Sequence, residues 1–385
     1  MTRLRYSLLL LASGGFVSGL SMRMAEPLLP RIAEDFNSTV AEASILITSF
    51  SLAYGLFQLL HGPLGDRIGK LRTVSGAMAL AALACAACAG ADSLASLGWF
   101  RFFTGMTAGA VIPLSYAFVG DNIPWPERQP VLGRFIAGTL LGFTCGPLLG
   151  GVFSDYWGWR TAYMVPSAAF AVISIALIPL ARSEVSGGSA SRLNPLTSYL
   201  SLLRLKGARL ICLIVAVEGI LFFGAFAYIG AWLRDEFALS FTNIGLLLAG
   251  FGAGSVLYSL AVGTIVRRFG AQRMVRAGGA LLLVAFVCLA ATPNWYLAVP
   301  AIMLLGLAFY LLHNTLQTMA TEMSPSARGS AVSAFAFCLF CGQAIGVSGA
   351  GLLAEWLGYR TVFTLAGLGL ALLATAFARR LHALQ

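Results

Sequence analysis

Apolar stretches of about 20 residues recur from one end of this chain to the other, each long enough to cross the hydrocarbon core of a bilayer as a helix. Twelve are readable, at residues 6–28, 42–61, 73–91, 95–119, 132–153, 161–181, 208–233, 243–266, 275–292, 297–320, 329–352 and 361–379. In lipid only helices and closed barrels satisfy every backbone polar group, and stretches of this length select the helix. Composition agrees, because only 10% of the 385 residues are charged where soluble domains carry about 25%. The expectation is an all-α integral membrane protein with the bilayer as its main partner. The first stretch reads as a retained span rather than a cleaved leader, being too long and flanked by Glu34 and Asp35.

Charge placement predicts orientation. With the N-terminus inside, 19 of the 25 Lys and Arg fall in cytoplasmic segments, and only Arg31, Arg160, Arg234 and Arg360 fall outside. That asymmetry obeys the positive-inside rule and places both termini in the cytoplasm, with a cell inner membrane as the location. The net charge of +10 is then a topological signal and calls for no nucleic-acid partner. All seven cysteines lie in predicted spans. Two pairs read C-x-x-C, but no second ligand pair accompanies them, so helix packing is the reading and no metal is expected.

The one long polar interruption, at 182–207, divides the chain into two sets of six spans, 1–181 and 208–385. The sets resemble each other. Gly151 to Thr161 (G-V-F-S-D-Y-W-G-W-R-T) aligns with Gly351 to Thr361 (G-L-L-A-E-W-L-G-Y-R-T), 200 residues on. Gly62, Arg67, Gly69 and Arg72 align with Gly263, Arg268, Gly270 and Arg273, 201 residues on, and the P-E-R ending at Arg128 aligns with the S-A-R ending at Arg328. Parallel repeats of this kind predict two six-helix bundles related by an axis along the membrane normal, with a substrate site between them near the midplane.

The segment G-P-L-G-D-R-I-G-K-L-R from Gly62 to Arg72 resembles the signature between spans two and three of the major facilitator superfamily, except that Leu71 stands where a base is usual. In the second half Arg267 stands opposite Asp66, so only the first copy is intact. The resemblance covers the whole length. Arg101-Phe-Phe-Thr-Gly105 is similar to that family's Arg-containing motif of span four. Gly133, Gly142, Gly146, Pro147, Gly150 and Gly151 form G-x8-G-x3-G-P-x2-G-G, which resembles the span-five motif of drug:proton antiporters.

These motifs have physical uses. In the basic loop, Asp66 can accept hydrogen bonds from a facing helix N-terminus, whose exposed N–H groups favour a carboxylate. With Gly62, Arg67, Gly69 and Arg72 it is expected to act as a cytoplasmic gate that stabilises the outward-open state, the role the resemblance implies. In span five, Gly142, Gly146 and Gly150 share one face, where small residues let helix backbones approach closely, and Pro147 removes a helical hydrogen bond. A tightly packed, bent helix at the interface between halves would seal the cavity against leak.

Ionisable groups inside a membrane are costly and usually serve function. Arg23 and Glu26 are three apart on span one and able to pair, and Arg101 lies at a similar depth on span four. The resemblance implies that spans one, four, seven and ten surround the central cavity. Two Arg and one Glu there would bind an anionic group or be a buried structural pair. Glu218 has no base within a turn on span seven, and an unpartnered carboxyl in hydrocarbon can take up and release a proton as its surroundings alternate. Proton coupling is therefore assigned to Glu218, with Glu26 and Arg101 as secondary groups; the alternative is a neutral Glu bonded to a neighbouring helix. Tyr310, His313, Asn314 and Gln317 make span ten polar enough for hydrogen bonds to a solute, or among helices. Tyr54, Gln58, Phe222 and Phe226 are the remaining candidates for cavity wall.

No catalytic constellation, phosphate-binding loop or cofactor motif is present, so the chain is not read as an enzyme and no cofactor is expected. The predicted function is proton-coupled export of a small organic solute by a monomer. Proton-coupled uptake by symport is the alternative.

Overall fold

A computed structural model describes residues 2–184, 195–323 and 328–384. Part of the polar interruption, and Ser326 and Ala327 of the S-A-R landmark, lie outside the described residues. Every regular element among the described residues is a helix. Eleven helical runs are long and apolar enough to cross a membrane: Arg3–Asp35, Val40–Ile68, Lys70–Ala89, Leu94–Asn122, Pro130–Tyr156, Trp159–Arg182, Lys206–Phe237, Phe241–Ala291, Trp295–Glu322, Gly329–Leu357 and Tyr359–Leu381. Phe241–Ala291 holds 51 residues, about 75 Å of helix and more than twice a hydrocarbon core of about 30 Å. It is broken at Gly270, where φ is 70° and ψ 165°. It thus contains spans eight (241–269) and nine (271–291), and the twelve spans read from the sequence are all present.

The internal repeat is written in the backbone. Among the described residues four glycines have positive φ, Gly69, Gly158, Gly270 and Gly358, and they fall into two pairs at the offsets seen in the sequence. Each stands where one helix stops and the next starts, a conformation that L side chains resist. The arginines of the aligned W-R-T and Y-R-T motifs make matching bonds. Arg160 donates to the Ala91 carbonyl at 3.1 Å and lies 3.8 Å from Asp35. Arg360 lies 2.8 Å from Glu236 and 3.5 Å from the Thr292 carbonyl. Both tie the start of the sixth helix of a half to the end of its first helix and to the turn after its third.

Two of the apolar cores separate along the same line, while a third joins residues 20–163 to Ala227, Tyr228 and Val347. One large buried cluster draws only on residues 211–381 and another only on residues 10–181. The halves meet along two seams. Spans five and eight approach so closely that a Cβ on Gly245 would overlap the Pro147 carbonyl, and one on Gly151 the Phe241 carbonyl. Spans two and eleven meet through Thr48 and Ser348, whose hydroxyls are 3.1 Å apart, and through Tyr54 and Phe340, with ring centres 4.5 Å apart. These contacts lie towards the side opposite the basic loops, here called the far face. Towards the basic face, Gly62, Gly133 and Gly263 have nothing within 4 Å of where a Cβ would stand. The molecule is closed at its far face.

Candidate functional site

Spans one, four and seven are each interrupted, spans one and seven towards their far-face ends. Span one runs as helix Thr2–Arg23, a 3-10 turn Glu26–Leu28 and helix Leu29–Asp35, with Pro27 and Pro30 removing helical donors. Span four breaks between Leu94–Ala108 and Val111–Asn122. Span seven breaks between Lys206–Phe226 and Ile229–Phe237. Discontinuous helices often mark binding sites in transporters built from repeats.

The break in span one places Arg23 beside Glu26, with Nη1 2.6 Å from Oε1. Both are buried, 6% and 2% exposed. The guanidinium also faces four phenyl rings drawn from both halves: Phe223 at 4.7 Å, Phe226 at 5.5 Å, Phe143 at 5.6 Å and Phe251 at 5.7 Å. Aromatic faces stabilise a desolvated cation, so the pair is held where the halves meet. Arg101 does not join it. Fully buried, Arg101 donates to the carbonyls of Ser21 and Leu46, both at 3.1 Å, and lies over the Phe50 ring. It fastens spans one and two to span four, and the expected cluster of two Arg and one Glu is replaced by one pair and one separate staple.

Glu218 is 0% exposed, but it is not alone. Nδ1 of His313, on span ten, lies 2.8 Å from its Oε2. The expectation of an unpartnered carboxyl is corrected: helical periodicity reports neighbours on one helix, and His313 reaches Glu218 from another. Oε1 of Glu218 is buried without a partner. The His313 ring stacks on Phe309 at 4.8 Å, which fixes its plane. A buried carboxylate–imidazole pair can hold one proton in common and accept a second on the imidazole.

Asn314 donates to the Tyr258 hydroxyl at 2.8 Å, and Tyr258 stacks on Tyr310. A cavity of about 490 Å³ on the basic side is lined by Lys206, Ala208, Met274, Asn314, Thr318 and Glu322, reaching the residue next to His313. Gln317, one turn beyond His313, is exposed. Phe222 is 0% exposed and stacks between Phe226 and Phe309, so it is core rather than an open wall. Tyr54 is buried between Phe50 and Phe340, and Gln58 is buried on the same helix.

In the basic loop, Asp66 is half exposed and lies 3.6 Å from Lys70 Nζ one turn on. Lys70 also pairs with Asp121, and Arg67 is exposed. The loop's glycine has a partner the sequence did not announce. After Gly69, the N–H groups of Lys70, Leu71 and Arg72 all donate to the Glu184 carboxylate at 2.9–3.2 Å, while Arg72 holds the Ala181 and Glu184 carbonyls. In span five, Gly142, Gly146 and Gly150 press on the carbonyls of Phe16, Leu20 and Met24 of span one. That stripe binds span five within its own half. Contact with the other half falls instead to Thr144, Pro147 and Gly151, and a Cβ on Gly133 would meet nothing within 4 Å.

The fold and the buried polar groups at its broken helices define a multi-pass membrane transporter built from two similar halves. The sequence model of the Major Facilitator Superfamily matches twice, over residues 11–232 and 211–383, and the chain belongs to that superfamily; it is a transporter and not an enzyme. It is 26% identical over 345 residues to the uncharacterized MFS-type transporter YceJ of Bacillus subtilis, covering 88% of this chain and 86% of that one. It is 24% identical over 326 residues to the multidrug export protein EmrB of Escherichia coli, covering 70% of this chain and 64% of EmrB. Among solved structures it resembles a bacterial homologue of the lysosomal transporter Spinster in its inward-facing, unoccupied conformation, with TM-score 0.81, 16% identity and coverage of 100% and 98%. It also resembles the nucleoside transporter NupG, with TM-score 0.79, 14% identity and coverage of 97% and 99%.

Proposed function

We propose that this transporter exports a small organic solute in exchange for protons, by alternating access between halves 1–181 and 208–385. The basic face lies in the cytoplasm with both termini, the location is the inner membrane, and the monomer is the working unit. In that orientation the structure described above is closed to the outside. Two things support export: the complete span-five motif and the similarity to a protein named for multidrug export.

One observation carries the coupling: Glu218 and His313, buried together at the ends of a 2.8 Å contact on spans seven and ten. Binding a second proton changes the charge of this site by one unit in a low-dielectric setting, where charge strongly biases one packing over another. Arg23 and Glu26, spanned by aromatic rings from both halves, are the group that opening of the far face would disturb. Everted vesicles with an acid interior test the reading, with solutes added one at a time. Export by antiport releases protons on addition of cargo, and Glu218→Gln abolishes the release. Uphill, pH-driven transport retained in Glu218→Gln eliminates this coupling site. Energy-dependent uptake into intact cells without proton release in vesicles replaces export with symport.

A further inference from the structure

We propose that Asp155 is the latch of the far-face gate, a positioning residue that sets the balance between the two transport states. Asp155 stands in the last turn of span five, in the first half. Its Oδ1 accepts the N–H of Phe241 at 3.1 Å and its Oδ2 the N–H of Thr242 at 2.7 Å. These are the first free donors of span eight, in the second half. The next donor, Asn243 N–H, is taken by the Ser240 hydroxyl at 3.2 Å. The first turn of span eight is thus completed by a carboxylate from across the seam, and a helix N-terminus favours that charge.

The approach is prepared along the seam. Gly151, one turn before Asp155, has no side chain where the Phe241 carbonyl sits, and Gly245, one turn into span eight, none where the Pro147 carbonyl sits. The terminal glycine of the span-five motif therefore serves to bring Asp155 within bonding distance. The repeat shows that this bond is not a by-product of the fold. Glu355 occupies the equivalent place 200 residues on and is exposed, as Asp155 is, but span two, the counterpart of span eight, is capped by its own Thr39 and Glu42 rather than from across the seam. One far-face seam is joined by a carboxylate on a helix N-terminus, the other only by the Thr48–Ser348 hydroxyls and apolar contact. On the basic face, Asp66 is half exposed and engages Lys70 of its own loop. Alternation then exchanges one carboxylate–helix bond for another: Asp155 releases span eight as the far face opens.

The inference rests on alternating access but not on the direction of transport or its coupling. The test is a distance measurement between spin labels at Gly90→Cys and Trp356→Cys, exposed far-face positions in opposite halves, in otherwise cysteine-free protein in lipid. Asp155→Ala is expected to raise the longer-distance population about fivefold, and Asp155→Asn, which keeps the shape and one acceptor, to raise it less. Gly151→Ala, which wedges the same seam, provides the comparison. Longer distances with Gly151→Ala but wild-type distributions with both Asp155 variants overturn the latch and leave alternating access standing. Unchanged distributions in all three overturn both.

Discussion

Replacing single glycines of span five by alanine separates three roles that the motif combines. At Gly146 a Cβ would lie 2.6 Å from the Leu20 carbonyl oxygen and 3.2 Å from its Cα. Ordinary contact starts near 3.4 Å, so spans one and five must part by about 1 Å, losing dispersion along the stripe. Overpacking of this kind costs about 1–3 kcal/mol, offset by about 1 kcal/mol of helix propensity gained by alanine. The net loss of about 0–2 kcal/mol is expected as a lowered thermal midpoint. Gly142, Gly146 and Gly150 share one partner helix, so a single retreat of span five relieves all three, and the triple variant should cost less than the sum of the singles. Gly151→Ala acts elsewhere: its Cβ meets Phe241 in the other half. The same 1–3 kcal/mol then shifts the closed–open balance by about 5–150-fold and leaves the midpoint near wild type, because the open state relieves the clash. Gly133→Ala, with free space around it, is expected to be neutral or slightly stabilising. The assays are thermal unfolding in detergent and far-face spin-label distances. The reasoning is refuted if Gly133→Ala melts as low as Gly146→Ala, or if Gly151→Ala lowers the midpoint without moving the distances.

His313→Ala leaves Glu218 buried without its partner and is expected to destabilise by about 3–5 kcal/mol; the double variant Glu218→Gln, His313→Asn should recover most of that in thermal unfolding while transport stays uncoupled from pH. Glu184→Ala removes the acceptor of three N–H groups at the start of span three and should cost about 1–2 kcal/mol, read as a lower midpoint that Glu184→Gln partly restores. Arg360→Gln breaks an ion pair whose partners are 45% and 42% exposed, so its loss should stay below about 1 kcal/mol and shrink in high salt.

What the sequence made legible were properties that live on one helix or recur at one spacing. Apolar length gave twelve spans, including the two inside one 51-residue helix, because Arg267, Arg268 and Gly270 interrupt the hydrocarbon pattern there. The i, i+4 glycines announced a close backbone approach. What stayed hidden was the partner. Nothing local to span five says that its stripe faces span one rather than the other half, and nothing near Glu218 points to His313, 95 residues away. Asp155 and Glu184 were missed for the same reason. Each caps a helix distant in sequence, whereas cap signals readable from sequence are local, as with Thr39 and Glu42.

The repeat supplies a criterion that neither half supplies alone. Features present in both copies, namely the positive-φ glycines at 69 and 270 and at 158 and 358 and the arginine ties at 160 and 360, join elements within a half and would be needed by any protein of this shape. Features present in one copy only have no such explanation. Asp66 faces Arg267 in the alignment, Asp155 bridges the seam while Glu355 does not, and neither Arg101 nor the Glu218–His313 pair has a counterpart in the other half. Two identical halves related by an axis along the membrane normal would carry two equal seams on each face and would duplicate every buried charge. In this chain that equivalence is broken at the buried charges and at the carboxylates beside the seams, which is where residues with a role beyond holding the shape are to be sought.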